Sequence, residues 1–544
     1  MLKKLLLSAA VLAVLLVCAA LIFQRVAGPS DGASLLPAET VLYASLTDLP
    51  RSALRWRGTA LAEIGREPEV NAFLEKPLSK WLSDPGAGEA GGILSGLKPG
   101  RIFFAVTKVA SDRVDVAVGF QFWGGKTDFD VAVARLRKEL PAGDSTRESY
   151  AGDEIISTGQ GKFQLCSAAH GRWGFLATDP AVIRSLLDRV AGKSAGPSLA
   201  GSPDFQKAMH RMLPAADFLF FLRPKNVADA LVEAGRSFGA EAIPEQIREI
   251  RATEAVAGTW KLDGKLQRDA IFILRPGAAP GEPLPHKSTR FTGPGTIVYA
   301  DFLARFAGLP ALAQKALPDR QAAASELAGL ADRAFGPEGA LVVTWQEGQM
   351  TPSGIFSLEI RDAATAGESL NKLLAFFPEA VVTDQGGLKL YSIPSLSNPL
   401  ATPTLALTKD FLIVGLDPAA VARAANAPGP DIGSDPAFAP ALPSFQSATE
   451  AFAFVDTKLL FERAYSALRP VILFGAQVMP GISGTIDTSK LPQTDTIARH
   501  LPPVILSLRR FEDGVLIESS GPLAVSQIAL GMAAGAAGGA PGTR

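Results

Sequence analysis

The feature of this chain that most limits its fold is an internal repeat, because the same order of short motifs occurs twice along its 544 residues. Each half opens with a turn and a short strand rich in Val, Ile and Tyr, at residues 36–46 and 293–303. A strand, an Asp at the helix N-cap and a Pro at the first helical position then recur around Asp179 and Asp417. The pattern predicts two tandem copies of one module.

Each half also ends in a predicted β-hairpin. Asp263-Gly264 and Asp513-Gly514 both stand between alternating apolar strands, and Asp-Gly favours a two-residue hairpin turn in which both positions need positive φ. Between the halves, residues 276–290 are crowded with Pro and Gly and predict a linker. The two modules are therefore predicted at residues 36–275 and 291–521.

Within a module, short turns separate the predicted strands, and short connections imply antiparallel neighbours. The predicted fold class is α+β, with antiparallel sheets and helices packed on one face. The elements predicted in the first module are strands at 101–107, 114–123, 150–158, 163–170 and 173–177 and an amphipathic helix at 129–140.

The amino terminus carries an uncharged apolar run from Leu5 to Phe23, long enough to cross about 30 Å of hydrocarbon at about 1.5 Å per residue. Lys3 and Lys4 precede it and predict that the rest of the chain is exported. We predict an uncleaved signal anchor within residues 1–28 and a single-pass protein of the inner (cytoplasmic) membrane, with its bulk extracytoplasmic. A cleaved signal peptide and a lipoprotein modified at Cys18 are the alternatives.

The carboxyl-terminal stretch, residues 522–544, is rich in Ala and Gly. Gly531 and Gly535 have the spacing of a close-packing transmembrane motif. The apolar run around them is too short for a second span, so a loosely associated tail is predicted.

Composition excludes several classes of function. Lys and Arg number 53 against 54 Asp and Glu, so nucleic-acid binding through bulk positive charge is not expected. Only 4 His and 2 Cys are present, which excludes a disulfide framework and a zinc site with Cys₄ or Cys₂His₂ ligands. His170, His210, His286 and His500 stand alone in the sequence, and Cys166 is interpreted as a buried strand residue.

Two stretches of the sequence resemble catalytic or nucleotide-binding motifs, but neither motif is complete. Residues 119–128, GFQFWGGKTD, have one residue too many for a phosphate loop, and the second half has no counterpart. Residues 369–372 fit S-x-x-K but lack the companion elements of penicillin-recognising enzymes. The acidic pairs Asp128/Asp130 and Asp153/Glu154 are interpreted as caps and solvated faces. No catalytic, cofactor-binding or metal-binding residue and no cofactor is therefore predicted.

The opening of the exported part resembles a family of exported, N-terminally membrane-anchored bacterial proteins of unknown function. The shared residues are the LLPAET…Y strand, Leu35 to Thr40 with Tyr43, and a following PEVxxFLxKP helix, here Pro68 to Pro77. The resemblance implies export. It brings no functional residues to this chain.

Three functions follow as hypotheses. The leading one is a membrane-tethered, non-enzymatic binding or scaffold protein of the cell envelope, held through residues 5–23, with an envelope protein as its partner. The first alternative is a carrier of an apolar ligand, a lipid or an extended peptide, in a groove lined by Phe, of which the chain has 30. The second is a hydrolase without a recognisable motif.

Overall fold

The structure is a computed structural model of the chain. It describes residues 32–82, 97–110, 113–138, 145–160, 163–193, 196–237, 245–277, 279–305, 321–398, 401–426, 432–478 and 487–526. The predicted membrane span at 5–23 lies outside these residues, as does most of the predicted tail. Among the helices that the structure does describe, none is both long enough and apolar enough to span a bilayer.

The described residues form twenty strands. They are β1 (Leu42–Leu46), β2 (Pro99–Val109), β3 (Val114–Phe122), β4 (Ser145–Tyr150), β5 (Asp153–Gln160), β6 (Phe163–His170), β7 (Trp173–Ala177), β8 (Phe218–Leu222), β9 (Ala255–Asp263), β10 (Leu266–Leu274), β11 (Thr296–Leu303), β12 (Phe335–Thr344), β13 (Ser353–Ile360), β14 (Val381–Gln385), β15 (Leu388–Ser392), β16 (Thr404–Leu407), β17 (Phe411–Gly415), β18 (Ala451–Val455), β19 (Val504–Phe511) and β20 (Gly514–Gly521).

The α-helices of the described residues alternate with groups of these strands. They are α1 (Leu49–Trp56), α2 (Ala60–Ile64), α3 (Pro68–Leu82), α4 (Lys126–Lys138), α5 (Pro180–Val190), α6 (Pro203–His210), α7 (Pro224–Ser237), α8 (Glu245–Arg251), α9 (Gln321–Ala334), α10 (Ala363–Leu374), α11 (Pro418–Asn426), α12 (Leu442–Ser447), α13 (Thr457–Val478) and α14 (Thr494–Ala498). The predicted α+β fold class is confirmed, since every strand pairing is antiparallel. The prediction that helices pack on one face is wrong, because α4 packs against Phe120 and Leu176, which alternate on their strands with the core residues that α5 covers.

All twenty strands belong to one continuous sheet. In the N-terminal half, strands β1 to β10, the spatial order is 4-5-6-7-3-2-1-8-9-10. In the C-terminal half, strands β11 to β20, it is 14-15-16-17-13-12-11-18-19-20. The two halves meet at one edge, where β10 pairs with β20 from Gln267↔Gly521 to Leu274↔Gly514.

The main cores lie on the face of the sheet that α5, α6 and α11 cover. The N-terminal core contains Phe175, Phe221 and Phe272 together with Leu516, so β20, the last strand of the described residues, contributes to the first core. The C-terminal core is built around Phe438, Phe452 and Phe454, all of which are almost completely buried. Phe carries no hydroxyl group that needs a hydrogen-bond partner, so its rings can be fully buried in both cores.

Two local features differ from the predictions. A single strand was expected at 150–158, but a turn at Ala151-Gly152, both with positive φ, divides it into β4 and β5. Ala-Gly carries a weaker hairpin signal than Asn-Gly or Asp-Gly, which is why this turn was missed. The predicted linker 276–290 also leads into a 3₁₀-helix, Lys287–Phe291, that packs against the C-terminal half.

Candidate functional site

Cys166 lies on β6, where it is fully buried and not in a disulfide. The Ser157 hydroxyl donates a hydrogen bond to its Sγ at 3.3 Å. Burial raises the pKa of this thiol, and a buried neutral thiol is a poor nucleophile. The sequence interpretation of Cys166 as a buried strand residue is confirmed.

The glycine-rich stretch at residues 119–128 and the S-x-x-K stretch at residues 369–372 both have structural explanations. A Cβ at Gly119 would lie 2.2 Å from Phe103, so packing of β3 against that ring requires glycine there. Ser369 is buried and its hydroxyl donates to the Thr365 carbonyl oxygen at 2.8 Å, while Lys372 pairs with Glu368 at 3.0 Å. These contacts explain Gly119, Ser369 and Lys372 by packing and by hydrogen bonds within the fold.

The acidic pairs are engaged in local contacts, as expected for caps and surface pairs. Asp128 accepts from the Gly125 amide, Asp130 pairs with Lys126, Asp153 with His170 and Glu154 with Arg147.

The first cluster that the sequence did not reveal surrounds His286, at the start of the C-terminal half. Its Nδ1 is hydrogen-bonded to Asp301, and its Nε2 donates to the Phe445 carbonyl oxygen at 2.8 Å. Tyr299 donates to Asp301 at 3.0 Å and is 3.0 Å from the Ser288 hydroxyl. Burial raises the pKa of Tyr299, so the phenol stays protonated and available as a donor.

Glu338 extends this cluster from β12. Its two carboxylate oxygens accept hydrogen bonds from the backbone amides of Lys287 and Ser288, at 2.8 Å each. Burial raises the pKa of Glu338, and these hydrogen bonds partly offset the shift. The side chain of Lys287 turns outward and pairs with Glu359.

The His286 cluster is arranged to hold the chain in place. Because a carbonyl oxygen can only accept, Nε2 of His286 is committed as a donor to Phe445 and cannot take a proton from a substrate. An open cavity of about 420 Å³ lies beside it. At its rim Lys287 pairs with Glu359 and Arg290 lies 3.4 Å from Asp410, so these charges neutralise each other locally.

A second cluster joins the two halves through His500. Its Nδ1 lies 3.0 Å from Glu63 and its Nε2 lies 2.6 Å from Glu67, on α2 and the turn that follows it. Arg499 also pairs with Glu67 at 2.7 Å, and Lys265 with Glu63 at 3.2 Å. Both ring nitrogens of His500 are therefore engaged within the fold.

The lowered pKa values of the two acids reflect this arrangement. Burial alone would raise the pKa of Glu63, but hydrogen bonds from His500 and Lys265 outweigh it. Hydrogen bonds from Arg499 and His500 lower the pKa of Glu67. The cluster favours two charged carboxylates between the halves.

An open cavity of about 270 Å³ lies between α4 and strands β4 to β6. Arg137 reaches into it from α4, donating to the Ile156 carbonyl oxygen at 3.3 Å and to the Ser167 hydroxyl. The Nε of Arg137 is buried and has no hydrogen-bond acceptor among the described residues. The cavity is lined by Lys126, Phe129, Asp130, Val133, Ala134, Arg137, Arg147, Glu154, Ile156, Ser167, Ala168 and Ala169.

The second half of α13 is an exposed apolar surface. Leu468, Val471, Leu473 and Phe474 are 53%, 59%, 40% and 66% exposed, and we call these four residues the apolar helix end. The first half of the same helix is held by Tyr465, whose hydroxyl donates to the Pro492 carbonyl oxygen at 2.6 Å. Successive residues of the helix end are exposed on more than one side, so it projects from the sheet.

The described residues offer no arrangement of three or more His, Cys, Asp or Glu side chains suited to a metal ion. The clusters around His286, His500 and Arg137 were not predicted, since their partners are distant in sequence. Glu63 is 437 residues from His500, and Ser167 is 30 residues from Arg137. The isolated His286 and Asp301, 15 residues apart, carried no recognisable motif.

Comparison with protein-family models and with curated proteins gives no match. Among solved structures, crystal form III of TP0453 is 7% identical with a TM-score of 0.27, covering 46% of this chain and 82% of that one. Crystal form IV is 6% identical with a TM-score of 0.26, covering 45% and 81%. Likenesses this distant carry no argument about the function of this chain.

Proposed function

We propose that this protein is a membrane-tethered, extracytoplasmic protein of the cell envelope that works by binding another protein rather than by catalysis. The apolar run at 5–23, preceded by Lys3 and Lys4, supports the tether and the direction of export. The observation that carries the binding role is the apolar helix end of α13.

Exposed apolar side chains grouped on one element are typical of interaction surfaces. A membrane-surface helix usually combines an apolar face with a face rich in Lys and Arg. Residues 466–478 contain a single charged residue, Arg469, and its Nε is buried. This composition favours an apolar protein surface over a lipid headgroup layer as the partner of Phe474 and its neighbours.

The proposal includes two tandem copies of one module, at residues 36–275 and 291–521, separated by the linker 276–290. The equal strand order of the two halves supports it, since each position from β1 to β10 has a counterpart ten strands later.

A non-enzymatic role is supported by the partners of the buried polar groups. The ring nitrogens of His286 and His500 are occupied by groups of the fold, and the thiol of Cys166 is buried. General acid–base catalysis needs a titratable group within reach of substrate. The hydrolase alternative therefore gains no support from these residues.

Two experiments test the proposal in cells that make the full chain. Protease added to spheroplasts should degrade the bulk of the protein while the cytoplasm stays closed. Protection of residues 36–521 until the membrane is lysed would contradict export.

The binding role is tested by placing a photoreactive phenylalanine analogue at Phe474. We expect crosslinking to one protein, which after purification binds the wild-type chain and binds the Val471→Glu variant about tenfold or more weakly, because a charge enters an apolar contact. Met350→Glu is the control, since Met350 is 72% exposed and does not belong to the apolar helix end. Crosslinks to lipid alone, or equal binding by the Val471→Glu variant, would overturn the role of the helix end.

One observation keeps a carrier of an apolar ligand as the alternative. Phe218 and Phe220 of β8 lie 6.2 Å apart on the opposite face of the sheet from the buried Phe221, and both are only partly buried. Native mass spectrometry of the chain purified from cells would show a bound lipid or peptide in this case. A mass equal to that of the protein alone would rule the carrier out.

A further inference from the structure

We propose that the cavity between α4 and strands β4 to β6 binds a small organic carboxylate, with Arg137 as its main anchor. This inference goes beyond the proposed protein-binding role and does not depend on the membrane tether.

The charges around the cavity leave one cation in excess. Lys126 pairs with Asp130 at 2.8 Å and Arg147 pairs with Glu154 at 3.0 Å. Arg137 has no carboxylate within ion-pair distance among the described residues. Three cations and two acids line the cavity, which matches a ligand with a single negative charge.

The hydrogen bonds of Arg137 indicate what kind of group is missing. The guanidinium is a planar fork that fits the two oxygens of a carboxylate. Only neutral oxygens, from Ile156 and Ser167, accept from it here, and the buried Nε has no acceptor among the described residues. Burial and the nearby Arg147 lower the pKa of Arg137, so its charge is held in an unfavourable setting that an anion would relieve.

The remaining walls of the cavity are apolar. Phe129 and Val133 of α4 face Ile156 and Ala169 of the sheet across it. These side chains would cover a short hydrocarbon chain attached to the carboxylate, whereas inorganic phosphate would leave them without a partner. The ligand class is therefore an organic acid.

The C-terminal half shows that the fold does not require this arginine. Phe129 and Val133 are buried in α4 and match Ala366 and Leu370, which are buried in α10 together with Ser369. Arg137 and Leu374 each stand four residues after the second residue of these pairs.

On the sheet, strand pairing matches Ser167 with Leu405 and Ile156 with Tyr391. Leu374, Leu405 and Tyr391 belong to an apolar cluster with Leu370 and Ile393. One half thus fills this space with hydrocarbon, while the other keeps an open cavity and a cation without an acidic partner.

The test is a titration of the purified full chain with butanoate, followed by saturation-transfer NMR, with butanamide as the uncharged ligand of equal shape. Butanoate should bind saturably and butanamide should not. Arg137→Leu should weaken butanoate binding about tenfold or more, since a hydrogen bond to a charged group is lost. Arg135→Leu is the matched control, because it removes an equal charge from an exposed position of the same helix, and we expect less than about a twofold effect.

Arg137→Lys guards against an effect of misfolding, because it keeps the charge and loses the planar fork. Binding weaker than in the wild type, with an unchanged melting temperature, supports the proposal. Three results would overturn it: no saturable butanoate binding, equal binding by the Arg137→Leu and wild-type chains, or phosphate binding as tightly as butanoate.

Discussion

Phe438 is the residue on which the packing of the C-terminal core depends most directly. Its ring is fully buried, and its centroid lies 5.3 Å from that of Phe445, 5.8 Å from Phe452 and 5.0 Å from Phe454, all in edge-to-face contact. Such contacts add to the free energy of burial because the ring edge is positive and the ring face negative.

Truncation of this ring should be costly. Phe438→Ala is expected to lower the free energy of unfolding by about 3–5 kcal/mol, through lost burial and the cavity left behind. Phe474→Ala is the control, since Phe474 is 66% exposed and its loss should change stability by less than about 0.5 kcal/mol. Chemical denaturation of both variants gives the comparison, and equal midpoints would contradict the assignment of Phe438 to the core.

At the scale of elements, the two matching strand–cap–helix units show what local sequence can predict. Asp179 accepts a hydrogen bond from the Ala181 amide at 2.7 Å at the start of α5. Asp417 accepts one from the Ala419 amide at 2.9 Å at the start of α11. Both caps were predicted from the Asp-Pro pair, because the cap and the fixed φ of proline act within one turn.

Loss of such a cap gives a prediction for one helix. Asp417→Ala should destabilise α11 by about 1 kcal/mol, and Asp417→Asn should cost much less, because an Asn side chain still accepts the amide hydrogen bond. Hydrogen exchange of the backbone amides of residues 419–426 measures the difference. Identical exchange in the two variants would show that the carboxyl group does not cap the helix.

The sequence predicted elements well where the decisive chemistry is local. The hairpins at Asp263-Gly264 and Asp513-Gly514 are found as β9–β10 and β19–β20, since two residues set each turn. The register of β10 on β20, in contrast, joins residues about 250 apart and depends on the shape of both halves. The cavity around Arg137 was missed for a related reason, because its walls come from four separate elements.

At the scale of the whole molecule, the His500 cluster couples the contact between the halves to pH. A carboxyl whose pKa is lowered on folding stabilises the fold above its unfolded pKa, near 4.5 for Glu63 and Glu67. This contribution is lost as the pH falls from that value through the lowered one. Acid should therefore weaken the contact by protonating these two carboxylates.

Glu67→Gln tests this coupling. The variant should melt at a lower temperature than the wild type at about pH 6, and the difference should shrink as the pH approaches about 3. Glu75→Gln is the control, because Glu75 pairs with Lys490 at 3.1 Å while remaining 74% exposed. A pH-independent difference for Glu67→Gln would show that its charge does not stabilise the contact.

The edge-to-edge pairing of β10 with β20 also sets the order in which the protein can be completed during synthesis. The N-terminal half leaves the ribosome first, and the outer edge of β10 then has neither β20 beside it nor Leu516 packed into its core. An unpaired strand edge recruits other chains. The nascent protein consequently needs β20, some 250 residues later, before the outer edge of β10 is covered, so the first half stays open to wrong strand pairing until most of the chain has been made.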